Sequence, residues 1–372
     1  MQRPTIQNRI AEVRKGLKGI SLDTAWIINP ENRRYLSGYD AMDTHFTESS
    51  GSLLIGSNRL LLIVDSRYTT HAEDQVPDFE IHTLKKGFAD EFPAVVKQTA
   101  TNNLGFEQGY VTWGLYNELS RSFDAFSPPV HLRPLDGMVE DMREVKDEEE
   151  IDALERSAKL ICYVLDEVID TLDPGLTERE VAWRIESLAR EAGADGLAFP
   201  SIVASGPNSA LPHAVPTDRR LDQGEPIIFD VGVQLDGYCS DMTRTVFLGE
   251  PREDFKKIYA TVRRAQLEAL EEIRPGVESN HPDSVARGII RDAGFGRCFG
   301  HGLGHGVGLA THEGPRLSPL KPKKLKKGMV VTVEPGIYIP GMGGVRLEEM
   351  VVIEQGGARI LTECDHFYDF TS

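Results

Sequence analysis

The chain is short of cysteine, of positive charge and of long apolar runs, and each shortage excludes a class of protein. Its four cysteines, Cys162, Cys239, Cys298 and Cys364, are scattered through 372 residues, and none forms a CxxC pair. That density cannot build a disulfide scaffold, and a reducing compartment is the simplest reading. Lysine and arginine number 41 against 58 aspartates and glutamates, a net charge of −17. So acidic a chain is a poor partner for nucleic acid or an anionic membrane, since both attract basic patches. A short basic run, Lys321 to Lys327, reads as a solvated loop. The opening stretch MQRPTIQNRIAEVRKGLKG lacks the apolar core of a signal peptide. No stretch reaches the roughly 20 apolar residues of a membrane-spanning helix. A cytoplasmic protein is expected.

What is present is an ordinary globular composition, 40% apolar and 27% charged, long enough for two domains. Ile6, Ile10, Val13 and Leu17 fall at helical spacing over residues 4–17. Residues 25–28 read as a buried strand, 32–36 as a short helix ending at Ser37-Gly38, and 52–55 with 60–64 as a hairpin across Gly56-Ser57-Asn58. Residues 69–75 suit a helix, 104–106 a strand, and Thr112 a cap for a helix through Leu119. The alternation describes an α/β domain over residues 1–140 that carries no chemical cluster. Tyr35, His45, Arg67 and His71 suit surface or core roles there. A second domain, 141–372, follows. Asp147 and Glu150 form a capping box at the head of a helix to about Leu172, with Ile151, Leu154, Ala158, Ile161 and Leu165 on one face.

The second domain repeats. Leu172-Asp-Pro-Gly-Leu176 recurs as Ile273-Arg-Pro-Gly-Val277, and Ala189-Arg-Glu-Ala-Gly193 as Ile290-Arg-Asp-Ala-Gly294. The offset is 101 residues in both cases, from 174 to 275 and from 193 to 294. Each copy also ends in an acidic hairpin. In Ile227 to Val246, Asp236-Gly237 is a turn signal. A two-residue loop pairs Asp230 with Thr243 and leaves Asp241 diagonal to Asp230, whereas a longer loop sets Asp230 and Asp241 directly opposite. Either register puts two carboxylates on one face, where a cation is the natural counter-charge. The counterpart is Val331 to Ile337 with Val345 to Ile353, whose acidic places are Glu334 and Glu348.

Between the hairpins lies GHGLGHGVGLATHEGP, residues 300–315, with His301, His305 and His312. Glycine at this density excludes a stable helix, and Val307 breaks the GxGxxG pattern of a nucleotide loop. The better reading is backbone passing close to a ligand or another strand. One imidazole and four carboxylates suit two bridged divalent cations, Mn²⁺ first, with Co²⁺, Fe²⁺ or Zn²⁺ as alternatives. Such a pair activates a hydroxide and polarises a carbonyl, which is hydrolase chemistry.

FDVGVQLDGYCSDMTRT, GHGLGHGVGLATHEGPR, VEPGIYI and VRLEE closely resemble the pita-bread metallopeptidases: Xaa-Pro dipeptidase (prolidase), aminopeptidase P and methionine aminopeptidase. The resemblance implies an α+β pita-bread catalytic domain with a pseudo-two-fold repeat, behind a smaller α/β amino-terminal domain of the prolidase type. It implies two divalent metals per chain, with Asp230 on one, Asp241 and Glu348 bridging, and His305 and Glu334 on the second. Glu334 would also be the general base toward a bridging hydroxide. His213 would line the substrate site, and His312 would bind the scissile carbonyl or assist proton transfer. Arg346 would stand beside the metals, and Arg316 would bind the substrate carboxylate. Tyr238 and Thr243 would at most support the ligands. The implied reaction is hydrolysis of Xaa-Pro bonds, of dipeptides first or else of longer peptides as in aminopeptidase P, in a homodimer whose first domain helps to enclose the neighbouring active site. The rival from another class is a catalytically silent binding protein on the same fold, which the intact set of five candidate ligands disfavours.

Overall fold

The computed structural model describes residues 3–41, 50–135 and 137–370; His45 lies outside them. The chain divides into two compact units, Met1–Met142 and Arg143–Ser372.

The first unit alternates helices α1 (Arg3–Gly19), α2 (Pro30–Ser37), α3 (Thr69–Gln75), α4 (Phe88–Lys97), α5 (Trp113–Asp124) and α6 (Met138–Arg143) with six strands. These are β1 (Thr24–Ile27), β2 (Ser52–Ile55), β3 (Leu60–Asp65), β4 (Glu80–Leu84), β5 (Asn103–Phe106) and β6 (His131–Pro134), in the sheet order β4-β3-β2-β1-β5-β6. The β2–β3 hairpin pairs Ser52 with Ile63 and Ile55 with Leu60. Gly38 closes α2 at φ 80°, and Thr112 caps α5 by accepting from the Leu115 amide at 3.2 Å. Helix α4 is absent from the sequence reading because Pro93 sits inside it. Its apolar Phe92, Val95 and Val96 are buried against Trp26 and Leu104, and that packing outweighs the proline.

The second unit opens on α7 (Glu148–Ile169), whose capping box is complete: the Asp147 carboxylate accepts from the Glu150 amide and Glu150 from the Asp147 amide. Then follow α8 (Glu178–Glu191), β7 (Gly196–Leu197), β8 (Ile202–Ser205) and a hairpin of β9 (Pro226–Val231), β10 (Val233–Leu235), β11 (Tyr238–Cys239) and β12 (Met242–Phe247). The second copy has α9 (Glu253–Glu271), α10 (Asn280–Ile290), β13 (Gly304–Gly306), β14 (Glu313–Leu317), β15 (Val330–Val333), β16 (Gly336–Ile339), β17 (Gly343–Arg346), β18 (Glu349–Glu354) and β19 (Gly357–Ile360). The repeated motifs coincide in conformation. Gly175 and Gly276 have φ of 100° and 89°, and Gly193 and Gly294 have 98° and 91°. Only glycine adopts this region cheaply, so the repeated residue marks a repeated bend.

Two cores separate the helices from the strands. One joins α7 and α8 to β9 and β12 through Ile161, Leu165, Val181, Ile185, Phe229 and Val246. The other joins α9 and α10 to the second-copy strands through Tyr259, Val262, Ile290, Val331 and Val351. Truncating one such side chain to alanine costs ~2–5 kcal/mol, a large share of a domain's net stability. This packing holds the hairpins rigid, and the hairpins carry the site. Every residue of β12 is buried, so both faces of the strand are enclosed.

Candidate active site

The first hairpin takes the shorter-loop register. Leu235 pairs with Tyr238 and Asp230 with Thr243, so Asp241 lies diagonal to Asp230. Asp236 and Gly237 turn at φ 50° and 77°, the left-handed pair that a type I′ turn needs. In the second hairpin Val333 pairs with Glu349, and Gly336 with Arg346. The same register carried through the bend sets Glu334 opposite Glu348. Both hairpins break their ladders beside these carboxylates. The Glu334 amide donates to Leu303 O at 2.8 Å and the Glu348 amide to Thr243 O at 3.0 Å. The second of these bonds joins the two hairpins. Arg346 strengthens the join, since its amide donates to the Thr245 hydroxyl at 3.1 Å and its carbonyl accepts from that hydroxyl at 2.8 Å.

The glycine-rich run crosses beneath. Strand β13 lies between β14 and β15. A Cβ on Gly304 would sit 2.0 Å from Thr332 O, and one on Gly306 would sit 2.0 Å from Gly314 O. The glycines therefore allow strands to pass closer than any side chain permits, and this delivers His305 to the carboxylates. His305 Nε2 lies 3.5 Å from Asp241 Oδ2 and 3.4 Å from Glu334 Oε1. Burial, then the neighbouring His312, pushes the His305 pKa down to about 3, so the ring is neutral and these are not ion pairs. Its Nδ1 is 3.1 Å from Gly306 O, an acceptor, so the proton resides on Nδ1 and the Nε2 lone pair faces the acids. A metal-binding imidazole has this tautomer.

Asp241, His305 and Glu348 each offer a ligand atom, all within 4.8 Å of one another, and all three residues are buried. Burial raises the pKa of Asp241, and Glu348, Asp230 and Glu334 raise it further. Burial and Glu348 raise that of Glu334, and burial and Asp230 raise that of Glu348 to about 8. The protein supplies Arg346 as counter-charge, donating to Asp230 Oδ2 at 2.6 Å, to Tyr338 OH at 2.9 Å and to Thr243 Oγ1 at 3.1 Å. One guanidinium does not balance four carboxylates. The donor set fits divalent cations: oxygen-rich, dry, over-acidic, and completed by one neutral imidazole nitrogen.

The cluster lines a cavity of about 910 Å³ that also receives His213, His301, His312, Arg316, Phe199 and Ile202. The His312 ring lies tilted beside that of His305, centroids 4.3 Å apart, and burial with Arg316 lowers its pKa. His213 is exposed in the loop before β9. The Arg316 guanidinium is exposed and has no side-chain ion pair among the described residues. Thr243 donates to Glu348 Oε2 at 2.7 Å and so supports the cluster, whereas Tyr238 donates instead to Glu150 Oε1 at 3.1 Å, at the head of α7.

Sequence reasoning left His301, a cavity residue, without a role. His301 Nε2 lies 2.9 Å from Tyr338 OH, which accepts from Arg346, and burial lowers the His301 pKa to about 4. Their spacing in sequence holds no signal, because β16 and the glycine run meet only on folding. The basic run is an exposed loop as expected, and its Lys321 and Lys323 also line the cavity.

Residues 9–145 match the creatinase/prolidase N-terminal domain, and residues 152–355 match metallopeptidase family M24. An Xaa-Pro dipeptidase of Pyrococcus furiosus is 35% identical over 361 residues, covering 97% of this chain and 99% of the relative. The solved Xaa-Pro dipeptidase from Bacillus anthracis superposes with a TM-score of 0.90 at 34% identity, over 97% of this chain and 98% of that one. X-Pro aminopeptidase from Thermotoga maritima superposes with a TM-score of 0.84 at 37% identity, over 95% of this chain and 98% of that one. The motifs, the fold and full-length similarity agree: the chain belongs to metallopeptidase family M24, in its pita-bread prolidase and aminopeptidase P group, and is a peptidase that binds divalent metal.

Proposed function

We propose that the protein hydrolyses the Xaa-Pro bond, of dipeptides in preference to longer peptides, with two divalent cations held by Asp230, Asp241, His305, Glu334 and Glu348. The observation that carries this is the buried Asp241–His305–Glu348 cluster at the wall of a cavity that also presents the Arg316 guanidinium, which has no ion pair among the described residues. The cations, Mn²⁺ first, supply an activated water and polarise the scissile carbonyl.

The chain's own groups do the rest. Asp230, Asp241, His305, Glu334 and Glu348 would hold the cations, and Arg346 holds the Asp230 carboxylate in place. Glu334, ionised once cations offset its acidic neighbours, would take the proton of the attacking water. His312 donates a hydrogen bond to the substrate carbonyl or passes a proton to the departing proline nitrogen. His213 closes the rim over the substrate. Arg316 clamps the terminal carboxylate of a dipeptide through two parallel bonds. An aminopeptidase P specificity is the second reading, favoured by the similarity to the Thermotoga maritima enzyme.

The test is metal-loaded protein assayed on Ala-Pro, Ala-Pro-Ala and Met-Ala-Ala. Cleavage of Ala-Pro above the others is expected, and preference for Ala-Pro-Ala would move the assignment to aminopeptidase P. Arg316→Ala should raise KM for Ala-Pro by about 10- to 150-fold, the loss of a charge-assisted pair, and leave Ala-Pro-amide little changed. Equal losses on both substrates would remove Arg316 from carboxylate recognition.

A further inference from the structure

Two residues that precede α7, Arg143 and Lys146, carry charge into the interior. Arg143 and Lys146 have side chains only 4% and 1% exposed, and both reach the Glu313 carboxylate, itself 8% exposed. Arg143 Nη2 donates to Glu313 Oε2 at 2.5 Å and Lys146 Nζ to Glu313 Oε1 at 2.6 Å. The segment is anchored in turn. The Lys146 amide donates to Gly328 O at 2.9 Å, and Val145 bridges to Met329 just before β15.

Glu313 is not part of the cavity wall, although His312, Gly314, Pro315 and Arg316 are. Its neighbourhood needs an anchor. Strand β14 pairs Arg316 with His305 but Glu313 with Gly306, so Gly314 and Pro315 bulge from the ladder. At a bulge the extra residues are left unpaired, and the backbone between His312 and Arg316 is not fixed by strand pairing alone. The carboxylate of Glu313 is the group that ties this stretch to a rigid support. The space around it is reserved: a Cβ on Gly308 would fall 2.2 Å from Glu313 Oε1.

We infer that Glu313, clamped between buried Arg143 and Lys146, is a positioning residue that sets His312 and Arg316 against the acidic cluster. The inference rests on the Xaa-Pro reading for its consequence in the reaction. A displacement of about 1 Å at a reacting group is enough to cost on the order of 10²-fold in rate. The clamp therefore acts on turnover and on dipeptide binding without touching the metal ligands.

The experiment compares Glu313→Gln, Gly308→Ala, Lys146→Met and Lys146→Arg in the full-length, metal-loaded protein. Gly308→Ala displaces the carboxylate while keeping it, so the test survives if Glu313→Gln folds poorly. Expected are wild-type metal content and a kcat on Ala-Pro lowered about 10- to 100-fold in the first three. KM should rise more for Ala-Pro than for Ala-Pro-amide, and Lys146→Arg, which keeps the cation, should recover most of what Lys146→Met loses. Folded variants with wild-type kcat and KM, or a loss of rate that tracks lost metal, would overturn the inference. If the wild-type protein cleaves no Xaa-Pro substrate, the parent reading fails, and the clamp is judged by the ring resonance of His312, assigned through His312→Ala. That resonance should move in Glu313→Gln, and an unmoved resonance overturns the clamp.

Discussion

The rings of His305 and His312 lie 4.3 Å apart, and different tasks are proposed for them. His305 turns Nε2 to the acids because Gly306 O holds the proton on Nδ1. His312 lies beside it with its ring tilted, exposed to solvent and next to Arg316. The two assignments are separable by mutation. Substituting His312 with Ala should lower kcat by ~10²-fold or more with metal content near normal, as for a proton-transfer group. Loss of metal in that variant would make His312 a ligand and put His305 in doubt. Glu348 meets Thr243 on one side and shares the cluster with Asp241 and His305. Glu348→Ala should release one or both metals, measured by elemental analysis. Full metal content and activity would remove it from the ligand set.

Helix α2 and strand β5 meet at a buried acid with a measurable signature. The Glu107 carboxylate, at the end of β5, accepts from the Ile28 amide at 2.5 Å, the Asn29 amide at 2.7 Å and Asn32 Nδ2 at 2.6 Å. Burial raises its pKa to about 7 against those bonds, with Glu140 adding repulsion. The folded state then keeps a proton that the unfolded chain has lost between pH 4.5 and about 7. Because the folded state binds more protons there, stability falls as pH rises through that window and levels off above it. The full span is on the order of 3 kcal/mol. Denaturant unfolding of the wild type from pH 5 to 7.5 should show the decline, and Glu107→Gln should flatten it. An equal slope in both proteins would mean that Glu107 is ionised throughout.

At the scale of the whole molecule, two copies of one helix-pair-and-hairpin unit bring together four acids, Asp241 and Glu348 buried and Asp230 and Glu334 half-buried. Each copy alone would leave two like charges in a dry site, and only the assembled pair surrounds a cation. Metal should therefore stabilise the fold as well as enable the reaction. About two divalent ions per chain are expected, with EDTA abolishing hydrolysis and lowering Tm. A chelated protein with unchanged Tm and activity would contradict this. A homodimer is also proposed, on the resemblance to enzymes whose first domain helps to enclose a neighbour's site. Light scattering that finds a fully active monomer would end that idea.

Much of this was legible from residue order, because it depends on short-range chemistry. The capping box at Asp147, the Asp236-Gly237 turn, the β2–β3 hairpin and the paired Pro-Gly and Ala-Gly stops all act within a few residues. The 101-residue offset exposed the repeat, since the same bend demands the same glycine twice. Helix α4 was hidden by Pro93 and is held by packing, and strands β4 and β6 were hidden by their weak patterns and are held by their ladders with β3 and β5. Tertiary structure alone decided the rest. It chose the diagonal register for Asp230 and Asp241, pointed Tyr238 at Glu150 instead of the acids, and brought Tyr338, His301 and Arg346 into one network. It also joined Arg143 and Lys146 to Glu313 across more than 160 positions of sequence. Local patterns reach only as far as a turn or a ladder. Contacts between distant charges exist only once the cores have closed around them.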